Sequence, residues 1–375
     1  MIPIPFSQLS HHQRSILDLI RRMGPQSRNI LARHLDLTNG AVTGITRQLI
    51  ELGLLREAPE AAEQRMGRPS IPLAIAPRGV HAYGLSFRPG WVDILCLDLT
   101  GDIIAREQLA FADAALDRLL PRIAARIAQI TNDASLDPAR AAGCGVAIAG
   151  YRPSRPQEVH VVEALGAWRG ADLAAAFAQG LGLSCRIENV ANAGALAEHY
   201  GGGGQGARSL FFVNLGYGVG SGTIIDGRIM RGKHGNAGEI GLFFPLDQPR
   251  PSYADLLETL IAHDRDPALA TSEAAMTDSV VVQWVERAAR QLDRPLAAAI
   301  AWFDPDRIVI GGALPAPVAR ALAEAVDLAR EFADLPRIFP STAIVASSLG
   351  NSGGATGAAQ VALREAVLLA ESDFL

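Results

Sequence analysis

Thr43 and Arg47 stand four residues apart within Asn39 to Glu51, and their side chains could read base edges in DNA. An arginine can donate two parallel bonds to guanine, and a threonine can bond to several base edges. Projected at ~100° per residue as a helix, Val42, Ile45 and Leu49 fall on one side. Gly40, Thr43, Gly44 and Arg47 fall on the other. Each glycine costs a helix roughly 1 kcal/mol against alanine. Two of them on the polar side suit a helix whose backbone must come close to another molecule. Arg28, Thr38 and Asn39 lie near helix ends, where side chains and amides meet phosphates. Arg65 and Arg68 fall in a loop suited to the DNA backbone or minor groove.

Three helices and a hairpin must position these groups. Arg14 to Met23 places Ile16, Leu19, Ile20 and Met23 on one apolar face, and Ile30, Leu31 and Leu35 do the same for a second helix. Asp36-Leu37-Thr38 supplies the turn, with Thr38 as N-cap of the third helix. Arg65-Met66-Gly67-Arg68-Pro69 then precedes the apolar Ile71-Pro72-Leu73-Ala74-Ile75, the pattern of a β-hairpin wing. A three-helix cluster is also a common packing unit, so charge helps to decide. Residues 1–78 hold ten arginines against six acids, a net +4, which leaves −9 on the remainder of a chain whose total is −5. A basic head on an acidic body favours phosphate contact through the head.

At 375 residues, 49% of them apolar and 19% charged, the chain is long enough for two or three packed units and too apolar for disorder. No apolar run reaches the ~20 residues of a bilayer span, and the proline-containing N-terminus does not read as a signal peptide. Cys96, Cys144 and Cys185 each sit in a strand-like run without a CxxC or Cys/His cluster, so neither disulfides nor a thiolate metal site is expected. A cytoplasmic location follows as the simplest expectation. From His81 the texture turns to strands alternating with helices. Tyr83–Phe87, Val92–Leu99 and Ile103–Ala110 form one set of strands, and a second set begins at Ser209. The repetition predicts a duplicated α/β unit with a cleft between its halves.

Several stretches, in order, resemble the ROK family of repressors and sugar kinases, and in particular its transcriptional-repressor branch. Ile187-Glu188-Asn189-Val190-Ala191-Asn192-Ala193 is similar to the family's E-N-D-A-N-A, and Val213 to Gly222 to its phosphate loop L-G-T-G-I-G-A-G. Arg231 to Gly241 resembles R-G-x-x-x-x-A-G-E-I-G-H, while Ile308-Val309-Ile310-Gly311-Gly312 and Ala355 to Ala359 resemble the late nucleotide-lobe motifs. The resemblance covers almost the whole chain. It implies a winged helix-turn-helix over 1–78 and, over 79–375, an actin-like, ATPase-type two-lobed α/β domain for effector binding and oligomerisation. Homodimers or homotetramers on a palindromic DNA operator are implied with it.

The departures bear on chemistry. The kinases' general base is the Asp of E-N-D, here Val190, and an apolar side chain cannot take a proton. The first phosphate motif, D-x-G-G-T-K, is replaced by Ser86 to Trp91, and the second loop has Tyr217 where the family has Thr. Phosphoryl transfer relies on a cradled phosphate and placed charge, so kinase activity is expected to be lost. The alternative is a sugar kinase with an appended DNA-binding head, in which Glu188 replaces the base. A third reading is a regulator without small-molecule control. The zinc ligands of the family are absent: Leu242 stands for the His, and 243–258 contains no Cys. No metal or cofactor is expected, and packing by Leu242, Phe243, Phe244, Leu256 and Leu257 is expected to take the metal's place. By the resemblance, Asn189, Glu239, Glu258 and Trp168 are the ligand-site candidates, in a pocket that has become more apolar. The competing reading keeps Asn189 and Glu239 for loop structure alone.

Overall fold

The computed structural model describes residues 6–59, 71–151, 160–161, 163–245, 247–329, 331 and 342–368. The head begins with α1 (His11–Met23), whose N-cap Ser10 and N3 Gln13 bond each other's backbone in a reciprocal capping box. Ser27 caps α2 (Arg28–Leu35) and Thr38 caps α3 (Asn39–Glu51), the latter by accepting from the Ala41 amide at 3.2 Å. Asp36 turns the chain between them in the left-handed region, at φ 52°, which an Asp tolerates better than most residues. β1 (Leu55–Glu57) and β2 (Leu73–Ile75) pair antiparallel, with Arg56 opposite Ala74. The expected turn, cap and flanking strands are all present.

Lobe one follows. It contains β3 (His81–Arg88), β4 (Trp91–Asp98), β5 (Ile103–Ala110), α4 (Leu116–Asp133) and β6 (Ala141–Ile148). A small ladder of β7 (Gly150–Tyr151) and β8 (His160–Val161), then α5 (Leu173–Leu181) and β9 (Cys185–Asn189), complete it. α6 (Val190–Gly201) crosses to lobe two, which comprises β10 (Leu210–Leu215), β11 (Val219–Ile225), β12 (Arg228–Ile229), α7 (Tyr253–Ala262) and α8 (Ser279–Phe303). β13 (Arg307–Gly312), α9 (Ala316–Ala325), β14 (Ala343–Ala346) and α10 (Gly353–Val367) close the described chain.

The two main sheets repeat one topology. In lobe one the order is β5-β4-β3-β6-β9, and in lobe two β12-β11-β10-β13-β14. Each has three antiparallel strands followed by two added in parallel. The duplication expected from the alternating texture is therefore present. β3 is buried on both faces from His81 to Phe87 because each face is covered. One face packs Tyr83, Leu85 and Ile94 against α4 and α5. Ala82, Leu95, Leu97 and Leu99 face the other way, into a core shared with Ile16, Leu31, Val42 and Leu49 of the head and Ala355 and Leu363 of α10. Apolar packing thus runs without a break from the head into the body.

α6 and α10 pack on each other between the lobes, and small residues set their approach. A Cβ added at Gly357 would lie 1.6 Å from the Ala193 carbonyl oxygen, and one at Gly145 would lie 1.8 Å from that of Ala358. Any side chain at either position would push α10 away from α6 or from the lobe-one sheet.

Candidate functional site

The exposed side of α3 carries Asn39, Gly40, Thr43, Arg47 and Gln48. Thr43 donates to the Asn39 carbonyl at 2.7 Å, a local bond that leaves its oxygen able to accept. Arg47 makes no hydrogen bond or ion pair among the described residues. Nothing lies within 4 Å of a Cβ built at Gly40 or at Gly44, so internal packing does not require either glycine. Arg28 is more engaged than its sequence position suggests: its Nε donates to Thr46 at 3.2 Å and its Nη2 lies 3.5 Å from Glu57. Thr46, fully buried, is the residue the apolar projection passed over, and Ile45 is only half-buried. A polar residue returning its hydroxyl to the Val42 carbonyl, at 2.8 Å, can sit in a helix's buried seam. Arg65 and Arg68 lie outside the described residues.

A second candidate site is a cavity of about 700 Å³ between the lobes. Glycine backbone forms part of its wall, from the Gly216–Gly220 loop, Gly312 and the Gly353-Gly354 start of α10, beside side chains such as Phe87, Val190 and Phe212. Asn189 lines it and caps α6: its Oδ1 accepts from the Ala191 amide at 2.7 Å and its Nδ2 donates to the Gly150 carbonyl at 2.9 Å. Both ends of that carboxamide are therefore already occupied. Val190, also on the wall, packs against Ala147, Ala193 and Ala358. Glu188 turns away from the cavity. Its buried carboxylate accepts from Arg231 Nε and Nη2 at 2.9 and 2.6 Å, from the Asn189 amide, and from Asn192 Nδ2.

Glu239 differs from these. Its half-buried carboxyl lines the cavity and has no side-chain partner among the described residues, and burial raises its pKa. Two other acids on the wall are committed. Asp93 accepts from Arg88 and Gln108 at 3.3 and 2.7 Å. Glu198 accepts from the Gly203 amide at 2.6 Å and from Ser347, with burial raising its pKa. Sequence reading missed both, although Asp93 left a signal as an acid inside the apolar run Val92 to Leu97.

Two candidates do not reach the cavity. Trp168 is fully buried in lobe one, where its Nε1 donates to the Ala114 carbonyl and its ring meets Phe87 edge-on at 4.9 Å between centroids. It backs the Phe87 wall rather than facing a ligand. Glu258 is exposed, because Leu256 and Leu260 turn the inner face of α7 toward the core and leave it on the outer one. The packing expected to stand for zinc also needs correcting. Phe244 and Leu256 are buried and Leu257 packs beside them, but Leu242 is 88% exposed and Phe243 46%. Here the loop is held by polar bonds: Arg250 Nη2 donates to the Gly241 carbonyl and Gln291 to the Pro249 carbonyl, each at 2.7 Å. With Leu242 at the His position and no Cys through 258, the residues do not fit a zinc ion.

Tyr217 stands 40% exposed on the glycine loop, edge-on to Tyr253 at 6.4 Å. The Arg88–Asp93 ion pair joins β3 to β4 beside the turn between them. No helix of the described residues is long and apolar enough to cross a membrane.

Comparison with known proteins adds to this geometry. The model of the ROK family matches residues 92–249 and 262–365. An uncharacterised protein of Sinorhizobium fredii is 31% identical over 355 residues, covering 94% of this chain and 90% of that protein. The DNA-binding transcriptional dual regulator NagC of Escherichia coli K12 is 28% identical over 325 residues, 80% of this chain and 79% of its own. Among solved structures, a ROK family transcriptional regulator described as a homologue of the E. coli Mlc protein superposes with a TM-score of 0.67. It has 23% identity and covers 96% of this chain and 97% of its own. That likeness shows the fold, which is the two-lobed, actin-like architecture with its mixed sheets.

Proposed function

The chain belongs to the ROK family, and from that premise we propose that it is a sequence-specific DNA-binding transcriptional repressor controlled by a sugar or related metabolite. Residues 1–78 act as a winged helix-turn-helix, with α3 in the major groove and the β1–β2 hairpin alongside. Residues 79–375 form the effector and oligomerisation domain. The observation that carries this reading is the exposed face of α3, where, among the described residues, Arg47 makes no bond and two glycines serve no internal contact. Thr43 and Arg47 read base edges. Thr38 and Asn39 meet phosphates, joined by Arg28 to the extent that Thr46 and Glu57 release it, and Arg65 and Arg68 extend the contact from the wing. Two heads of a homodimer or homotetramer take the half-sites of an imperfect palindrome, and the protein works in the cytoplasm.

The same reading makes the body a sensor without kinase activity. Val190 supplies no base, and Glu188 is held by Arg231 away from any sugar hydroxyl. Glu239 is left to bind the effector, with Asn189 shaping the wall beside it. Selection from random DNA by the purified chain tests the main claim. An imperfect palindrome should be enriched, whereas binding that lacks sequence preference and fades only with salt would remove the specific-reader assignment. Release of ADP from Mg-ATP with any hexose would instead favour the kinase alternative, and none is expected.

A further inference from the structure

Two helices begin at the cavity and end against the head. α6 starts at Asn189 and Val190 on the cavity wall, and its twelve residues, about 18 Å at 1.5 Å each, bring Tyr200 to the head. α10 starts at Gly353 and Gly354 on the same wall, and fifteen residues later, about 22 Å along, its last turn also meets the head. There Arg14 of α1 donates to the Glu365 and Leu368 carbonyls, each at 3.1 Å.

One residue of the head touches both helices. Arg21 of α1 lies over the Tyr200 ring at 4.5 Å and donates to Gln360 of α10. Arg364 of α10 lies near the same ring at 5.9 Å and donates to the Tyr200 hydroxyl at 3.2 Å. The Tyr200 ring is thus shared by two guanidinium groups, one from the head and one from the body. Its faces can attract both.

Arg21 is a costly choice for such a position. Its Nη1 is inaccessible and lacks a partner among the described residues, and burial lowers its pKa. An unmade bond on a buried charged group is expensive. A docked arrangement that carries this cost lies closer in energy to one in which Arg21 regains water. That small gap is the property a two-state element needs.

We propose that α6 and α10 form a strut transmitting the state of the cavity to the head, with Arg21 as its joint on the Tyr200 ring and Gln360. The proposal rests on the reading of the chain as a regulator, but its mechanics can be measured without DNA or carbohydrate. A Cβ at Gly354 would sit 2.4 Å from Ser86 Oγ, 3.1 Å from Ser86 Cβ and 3.3 Å from Val190 Cγ2, so the branched side chain of Gly354→Val strains the contact of the cavity end of α10 with β3 and α6. Ala313 lines the same cavity at the end of β13, outside both helices.

Hydrogen–deuterium exchange on the full chain separates the cases. Gly354→Val should change exchange of the α1 amides by roughly threefold or more, within the range of coupling substitutions, while Ala313→Leu leaves them alone. Adding Arg21→Met should remove most of that response, and adding Tyr200→Phe, which keeps the ring, should preserve it. Gly354→Ala replaces Gly354→Val if the latter fails to melt cooperatively. The proposal is overturned if α1 is indifferent to both Gly354 variants, if Ala313→Leu acts equally, or if the response survives Arg21→Met. A cavity that binds no carbohydrate would sink the functional reading and leave this coupling standing.

Discussion

The head and the cavity treat their polar side chains in opposite ways. On α3, Arg47 is exposed and makes no bond among the described residues, and Thr43 spends only its hydroxyl proton on its own helix. On the cavity wall, Asn189 caps α6, Asp93 serves Arg88 and Gln108, and Glu198 serves Gly203 and Ser347. Of the acids on that wall, Glu239 alone has no side-chain partner among the described residues. A polar group committed to local structure stabilises the fold but has less to offer a ligand. The difference teaches that the α3 face keeps polar groups free of the fold, while most of those on the cavity wall are spent on holding it together.

Breaking an architectural pair should show the largest effect. Glu188→Ala leaves Arg231 without the carboxylate that takes two of its bonds. Loss of one partner of a buried pair costs roughly 3–5 kcal/mol. Because the Arg231 side chain is 33% exposed, the lower end of that range is expected in thermal melts. A loss too small to measure would place this network outside the architecture.

Acid should attack the body next. Burial lowers His81 and His199 to a pKa of about 4, from an ordinary 6.5. The unfolded chain therefore binds more protons between these values, and stability must fall as pH drops from about 6.5 to about 4. Each histidine contributes up to ~3 kcal/mol across that window. His199→Gln should flatten the lower part of a melting-temperature profile, and an unchanged profile would exclude His199 as a source of the slope.

How much could be read from the chain follows the same division. Ser10, Ser27 and Thr38 cap their helices through neighbours three residues away. Local chemistry of this kind is visible in a string of residues, as is the alternating texture that became two matching sheets. Trp168 and Glu258 were misplaced because their motifs say nothing of which way a side chain faces. Burial of one against Phe87 and Phe177, and exposure of the other on α7, depend on tertiary packing. Thr46 escaped notice because buried threonines look polar in a pattern. The continuity of head and body through Leu95, Leu97 and α10 is equally nonlocal, so a boundary at 78/79 is a change of texture across a shared core.

Smaller effects sharpen the head's side of the contrast. Arg47→Ala should weaken selected DNA by ~1–3 kcal/mol, with little change in unselected DNA or in melting temperature. Equal loss on both DNAs would move Arg47 from base reading to phosphate contact. Gly44→Ala has open space for its methyl and should stabilise the helix by up to ~1 kcal/mol. The same methyl should reduce DNA affinity by crowding the groove, and unchanged affinity would show that α3 keeps its distance there.

A thermal-shift screen tests most directly whether the cleft has passed from catalysis to sensing. Purified protein would be scanned with sugars, amino sugars and sugar phosphates, alongside ATP and ADP with magnesium. A ligand at about 100 times its dissociation constant should stabilise the fold by roughly 2.7 kcal/mol. Stabilisation by one carbohydrate class and none by nucleotides is the predicted result. Stabilisation by Mg-ATP, or by none of the compounds, would contradict it.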